Sequence, residues 1–404
     1  MRVLTTIRRA EYLELAGLYF INAMAMAMWF VPLSAILHAH GLDTLRPYAF
    51  ATSAVAAFIS PLIFGAMADR HAAPVVVLRG LCVATGLAMI LATTAIQRRW
   101  NPWLVLVLIQ LYSLCTAPTF SISTAIIFSR LKNSQREFGP IRAMATLGWM
   151  SGCWAISLLK ADTSTAAGYY GAIVWFLVAA FTLLLPNVPP PENKQQLTLR
   201  QRMGWDALSL LKHRDHRVVF ITAALFNATI AAIFPFTPPN LRELGFHRMT
   251  ALMSLAQTTE LIAMFALAAL LTRWRLKWII LLGLCFGVVR YTLCAINTKF
   301  TLLFGIALHG AGYTLVLITS QIYLEQRIDP AWRARAQSLQ TLMTSGVGNL
   351  IGYLGSGWWF AACTRDSGTR WPLFWGGIAV AVTGVLTYFL STYRGLVTRP
   401  APSP

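Results

Sequence analysis

Leu185-Pro186-Asn187-Val188-Pro189-Pro190-Pro191-Glu192-Asn193-Lys194-Gln195-Gln196 divides the chain. Proline removes a backbone donor and clashes with the preceding turn, so no helix continues through this stretch. The polar run after it has nothing apolar enough to enter a bilayer. Residues 187–216 form the widest gap between apolar segments. Working outward, six apolar runs precede it, at 12–37, 47–68, 74–96, 103–128, 139–159 and 167–186. Six follow it, at 217–238, 249–271, 277–296, 300–323, 337–360 and 373–391. Each is near the ~20 residues that a helix needs to cross the hydrocarbon core.

Composition agrees. Of 404 residues, 57% are apolar and 12% charged, and the mean hydropathy is +0.60. A soluble domain carries about 25% charge, so an ordinary soluble enzyme, a disordered chain and a coiled coil are excluded. The net charge is +19. In a soluble protein that balance suggests nucleic acid; here it suggests basic cytoplasmic loops, and no nucleic-acid partner is expected. With the N-terminus inside, inner segments hold 23 Lys+Arg and outer loops 9, so both termini are expected in the cytoplasm. Trp100, Trp103, Trp274, Trp278, Trp371 and Trp375 stand at predicted span ends, where an aromatic belt is expected. The six cysteines form no CxxC pair and no metal spacing, so neither a metal nor a cofactor is expected. The first apolar run, Leu13 to Leu37, is too long for the core of a cleaved signal.

The expected architecture is therefore an all-α membrane protein. It has twelve transmembrane helices in two six-helix bundles, 1–190 and 217–404, joined by a cytoplasmic loop at 191–216. A multi-pass monomer in the inner membrane, with the lipid bilayer around it, follows as the expectation.

Ionisable groups at mid-membrane are costly, so each is a candidate for function. Glu260 is the one acidic residue midway along a predicted span, and Gln257 lies three residues before it, on the same helix face. A buried Glu that only ties helices together is the competing reading. Arg290, at matching depth in the next span, is its expected partner in either case. His309 is the one histidine inside a span, and Tyr313 is one turn away. A lone His is more often a satisfied core residue than a ligand; the Tyr beside it raises the functional reading. Gly348, Gly352 and Gly355 read as close helix packing.

Gly65-Ala66-Met67-Ala68-Asp69-Arg70 resembles the front half of the G-x-x-x-D-R loop motif of the major facilitator superfamily, without its second Gly and basic run. Phe138-Gly139-Pro140-Ile141-Arg142 with Thr146-Leu147-Gly148-Trp149 is similar to a segment of the nucleoside:proton symporter family within it. So are LPNVPPP, the run Met253 to Glu260, Arg290-Tyr291, Leu308 to Tyr313, Arg333 to Gln337, and Gly346-Val347-Gly348. The matches keep their order from span 2 to span 11. The resemblance implies the facilitator fold, nucleoside as substrate and the proton as coupling ion. It implies substrate-binding roles for Arg142, Thr146, Trp149, Gln257, Glu260, His309 and Tyr313, proton coupling at Glu260 and His309, and a conformational role for Gly65, Asp69 and Arg70. Thr314 departs from the pattern: the family commonly has Asp there.

The residue types suit this chemistry without the family. A nucleoside joins a hydroxylated sugar to a flat base, so it needs hydrogen-bonding side chains and an aromatic face in a mostly apolar site. Three alternatives stand beside this reading. One is a facilitator carrying a sugar or an exported drug. Another is a membrane enzyme, which lacks any metal cluster or Ser-His-Asp set in this sequence. The third is a non-transporting membrane protein.

Overall fold

A computed structural model describes residues 2–70, 73–131, 134–186, 205–366 and 368–395, with the side chains of 2–10, 61–70, 134–136, 330, 331 and 334 outside that description. The chain falls into two compact units. The first holds residues 1–195 together with 247–254; the second holds 196–246 together with 255–404.

In the first unit, α1 (Arg2–Phe30) and α2 (Leu33–Ala39) form one rod broken at Val31-Pro32. Then come α3 (Arg46–Arg70), α4 (Pro74–Gln97), α5 (Pro102–Phe128), α6 (Ser134–Leu158) and α7 (Ala166–Phe181). Local chemistry sets the ends. Pro74 and Pro102 open their helices, where the missing N–H costs nothing. The Asn101 side chain accepts the Trp103 N–H at 2.9 Å. Gly65, Asp69 and Arg70, expected in a loop, lie on the helical end of α3; their side chains are outside the description.

α6 packs on α1, and glycine makes that possible: a Cβ at Gly148 would strike the carbonyl of Phe20. In lipid there is no hydrophobic gain from pressing two helices together, so small residues that allow backbones to approach supply the contact. The first unit also contains α10 (Met249–Met253), which docks on α6. The Asp162 carboxylate, 5% exposed, accepts the Thr250 N–H and the Ser157 hydroxyl, both at 2.7 Å. The Ser157 hydroxyl oxygen in turn accepts the Ala251 N–H at 2.9 Å. The opening turn of α10 is thus capped by side chains from about ninety residues earlier.

In the second unit, α8 (Arg214–Ile230) and α9 (Ile233–Glu243) share one rod, broken just before Pro235. They are followed by α11 (Leu255–Arg273), α12 (Leu276–Ile296), α13 (Lys299–Tyr313), α14 (Thr319–Arg327), α15 (Pro330–Thr341), α16 (Asn349–Cys363) and α17 (Trp371–Thr392). Thr298 and Thr301 form a reciprocal cap at the start of α13. Wide π-turns join α13 to α14 at Thr314–Ile318 and α15 to α16 at Leu342–Gly348. The apolar pattern predicts unbroken helices at both places; such bulges are frequent at functional sites. Gly348 and Gly352 lie against α8 as expected, but a Cβ at Gly355 would meet open space, so its packing role is corrected.

Each predicted apolar run contains helix, but the run expected at 167–186 is helical only to Phe181. Eight helices among the described residues are long and apolar enough to cross a bilayer. Trp100, Trp103, Trp274 and Trp278 are exposed, as belt residues should be. Trp371 and Trp375 are not: both are buried and stack on each other at 6.3 Å. Their indole N–H groups donate to Glu243 and Asn240.

Candidate functional site

Two clusters carry the predicted residues, one in each unit. In the first unit, Arg142, Thr146 and Trp149 recur at i, i+4 and i+7 on α6 and so share one face. Thr146 is buried; Arg142 and Trp149 are half-buried. The Arg142 guanidinium stands 5.4 Å from the Phe120 ring centroid. Phe120 stacks on Tyr19 at 4.9 Å, and Tyr19 and Thr124 share a hydroxyl hydrogen bond of 2.6 Å. Trp149 meets Phe30 edge-on at 6.2 Å. One turn from Tyr19, Asn22 is fully buried. Its Nδ2 donates to Ser123, while its Oδ1 has no hydrogen-bond partner. Tyr19, Asn22 and Phe120 were not legible as site residues. Aromatics on apolar helices look like core, and a single Asn in α1 gives no spacing signal.

In the second unit, Gln257 and Glu260 lie on α11, and His309 and Tyr313 on α13. Gly310 brings the two helices together, since a Cβ there would strike the backbone of Ala256 and Glu260. The Thr259 hydroxyl donates to the Ala307 carbonyl and ties the same crossing. Gln257 is 7% exposed and its Oε1 is unsatisfied; Glu260 is half-buried. The His309 and Tyr313 rings lie 6.0 Å apart, tilted by 45°. The structure therefore assembles these four around one helix crossing.

Arg290, on α12, is 4% exposed. Its Nη1 lies 2.8 Å from His309 Nδ1. A guanidinium only donates, so Nδ1 is the acceptor and the imidazole proton sits on Nε2. Arg290 was expected to answer Glu260; the hydrogen bond it makes is to His309. That same bond bears on the expected proton role of His309, because Nδ1 is occupied in this conformation. The Arg290 guanidinium also lies 4.6 Å from the Tyr291 ring centroid. The Tyr291 hydroxyl donates to the Thr229 carbonyl at 2.6 Å, and its ring stacks on Trp375 at 6.0 Å.

Thr314 begins a π-turn, fully buried, with its hydroxyl unpartnered. Asn227, on α8, donates to the Thr344 carbonyl at 2.9 Å and to Asn349 Oδ1 at 2.7 Å, beside the other π-turn.

The chain as a whole has known relatives. The chain is 31% identical over 359 residues to the putative nucleoside transporter YegT of Escherichia coli (strain K12), covering 84% of this chain and 82% of that protein. It is 25% identical to the xanthosine permease of the same organism, over 90% of this chain and 91% of that one. In fold, it matches the crystal structure of the nucleoside transporter NupG with a TM-score of 0.85 at 22% identity, covering 95% of this chain and 99% of that chain. A bacterial homolog of the lysosomal transporter Spinster gives 0.74 at 14% identity, covering 98% and 99%. At these identities the structures speak to fold alone, and the shared fold is all-helical. The profile of the family described as Nucleoside H+ symporter matches residues 11–395, and the chain belongs to that family of multi-pass membrane transporters.

Proposed function

We propose that this protein moves nucleosides across the bacterial inner membrane by alternating access, coupled to protons. The proposed molecule is a monomer with twelve spans and both termini cytoplasmic. Its two bundles are 1–190 and 217–404, with 191–216 as the cytoplasmic loop.

The observation that carries the reading is the α11–α13 crossing. Gln257 there holds an unsatisfied buried acceptor one turn from a carboxylate, beside a His and a Tyr. An acceptor buried without a partner costs about 1–3 kcal/mol, and a hydroxylated solute that donates to it removes that cost. In this reading Gln257 and Glu260 accept from ribose hydroxyls or base amines. His309 donates through Nε2, and Tyr313 offers a ring face. Arg142, Thr146 and Trp149 bind the same class of solute from the first unit. Glu260 carries the proton. His309 can share that load only after Arg290 withdraws from Nδ1. Gly65, Asp69 and Arg70 act in the conformational cycle.

Uptake of radiolabelled purine and pyrimidine nucleosides into proteoliposomes tests this, with and without an inward proton gradient. Accumulation against a concentration gradient that needs the proton gradient is the expected result. Uptake of sugars but not nucleosides overturns the substrate, and accumulation indifferent to pH overturns the coupling.

A further inference from the structure

Helices α11 and α12 follow one another with only Trp274 and Arg275 between them, yet α11 packs chiefly on α13, and α12 on α17 and α13, rather than along one another. Between their joined ends lies a cavity of about 550 Å3. Arg273, Trp274, Arg275 and Trp278 line it, and so do Leu282 and Cys285, one and two turns further along α12 than Trp278. Leu282 forms an apolar floor, packed on the buried cluster of Leu267, Ile279 and Leu315.

Charge is unbalanced at this place. Arg273 and Arg275 are exposed and Lys277 is half-buried, its Nζ 5.8 Å from the Trp278 ring centroid. No acidic residue occurs in the sequence between Glu260 and Glu325. Among the described residues no ion pair reaches these three cations. Basic loops alone are ordinary in membrane proteins. Here the cations sit over an apolar groove flanked by two half-exposed indoles, the side chains that prefer the headgroup level. A guanidinium fork fits a phosphodiester through paired N–H donors.

We propose that this groove binds an anionic phospholipid. Arg273 and Arg275 hold the phosphodiester, Trp274 and Trp278 flank the glycerol region, and one acyl chain lies along Leu282 and Cys285. The chemistry matches the basic pockets between spans that hold anionic headgroups. A neutral phosphatidylcholine would fill the same apolar space, but its choline would be set against three cations.

Native mass spectrometry of the full-length protein in detergent tests the assignment. The probes are phosphatidylglycerol, phosphatidylcholine of the same acyl chains, and inorganic phosphate. Phosphatidylglycerol should be retained in preference to phosphatidylcholine, with no competition from phosphate. The double variant Arg273→Gln/Arg275→Gln should weaken retention about thirtyfold, two surface cations' worth. Leu282→Trp fills the groove and keeps both arginines, and it should displace the lipid to a similar degree. Three results would overturn the proposal. The first is equal retention of the two lipids. The second is competition by inorganic phosphate, which points to a free-anion site. The third is full retention in Leu282→Trp, which means adhesion by charge without the groove. The tryptophan variant also decides the matter if the glutamine variant does not fold.

Discussion

Arg142 on α6 and Arg290 on α12 are the same residue type, and they are held in opposite ways. Arg142 is half-buried over the face of Phe120. Arg290 is 4% exposed, hydrogen-bonded to His309 and backed by the ring of Tyr291. A cation over an aromatic face contributes about 0.5–1 kcal/mol where water reaches it, and its N–H donors remain available to another acceptor. A hydrogen bond from a charged donor contributes about 1.5–3 kcal/mol. The first arrangement suits a side chain that must take and release a solute. The second suits one that orients a neighbour. Residue type does not distinguish them; the partner does.

The contrast breaks first at Glu260. If the second unit carries the proton, Glu260→Gln should abolish proton-driven accumulation while the protein still folds and inserts. Concentrative uptake by a well-folded variant, measured in proteoliposomes, removes Glu260 from the mechanism. Next in size is Arg290→Ala, which leaves His309 Nδ1 without its donor and opens a cavity. It should cost about 3 kcal/mol or more in stability, read as a fall in Tm by thermal-shift assay. Arg142→Ala sharpens the comparison from the other side. Its stability loss should stay within about 1 kcal/mol, while the KM for nucleoside rises about tenfold or more. Comparable Tm losses for the two arginine variants would erase the distinction.

Smaller effects follow along the helices. Gly352→Ala forces a methyl group against the backbone of α8 and should destabilise by about 1–3 kcal/mol, whereas Gly355→Ala meets open space and should be neutral. Smallest is Thr314→Val. The Thr314 hydroxyl is buried without a partner, so its loss should leave both uptake and Tm within error or slightly improved. A large loss of uptake in that variant would show that the hydroxyl meets the solute.

Much of this was legible in the chain. Apolar periodicity marks the helices because a bilayer tolerates little else, and Glu260 stands out because a carboxylate at that depth is rare. Spacing put Gln257 with Glu260, and His309 with Tyr313, since residues three or four apart share a face. The gaps have physical causes. The Arg290–His309 bond joins different helices, and no local pattern encodes it. Tyr19 and Phe120 are chemically indistinguishable from core aromatics until Arg142 is seen above them. Trp371 and Trp375 look like belt residues by position, but Glu243 and Asn240 draw them inward. The π-turns add a residue to a turn whose composition reads as ordinary helix, and Gly355 carries the spacing of a contact glycine without a neighbour.

The cap that Ser157 and Asp162 place on α10 bears on how the protein could be assembled from pieces. The first compact unit is not a continuous stretch of chain: its last segment, 247–254, is encoded beyond the proline-rich divide. Genes split between Gln195 and Gln196 would yield two polypeptides, and the shorter one would lack the peptide that Asp162 grips. A synthetic peptide spanning 247–254, or co-synthesis of the second polypeptide, should therefore increase the recovery of the first in a folded state. Asp162→Asn should reduce that rescue, because a neutral amide is a weaker acceptor for the Thr250 N–H than a carboxylate.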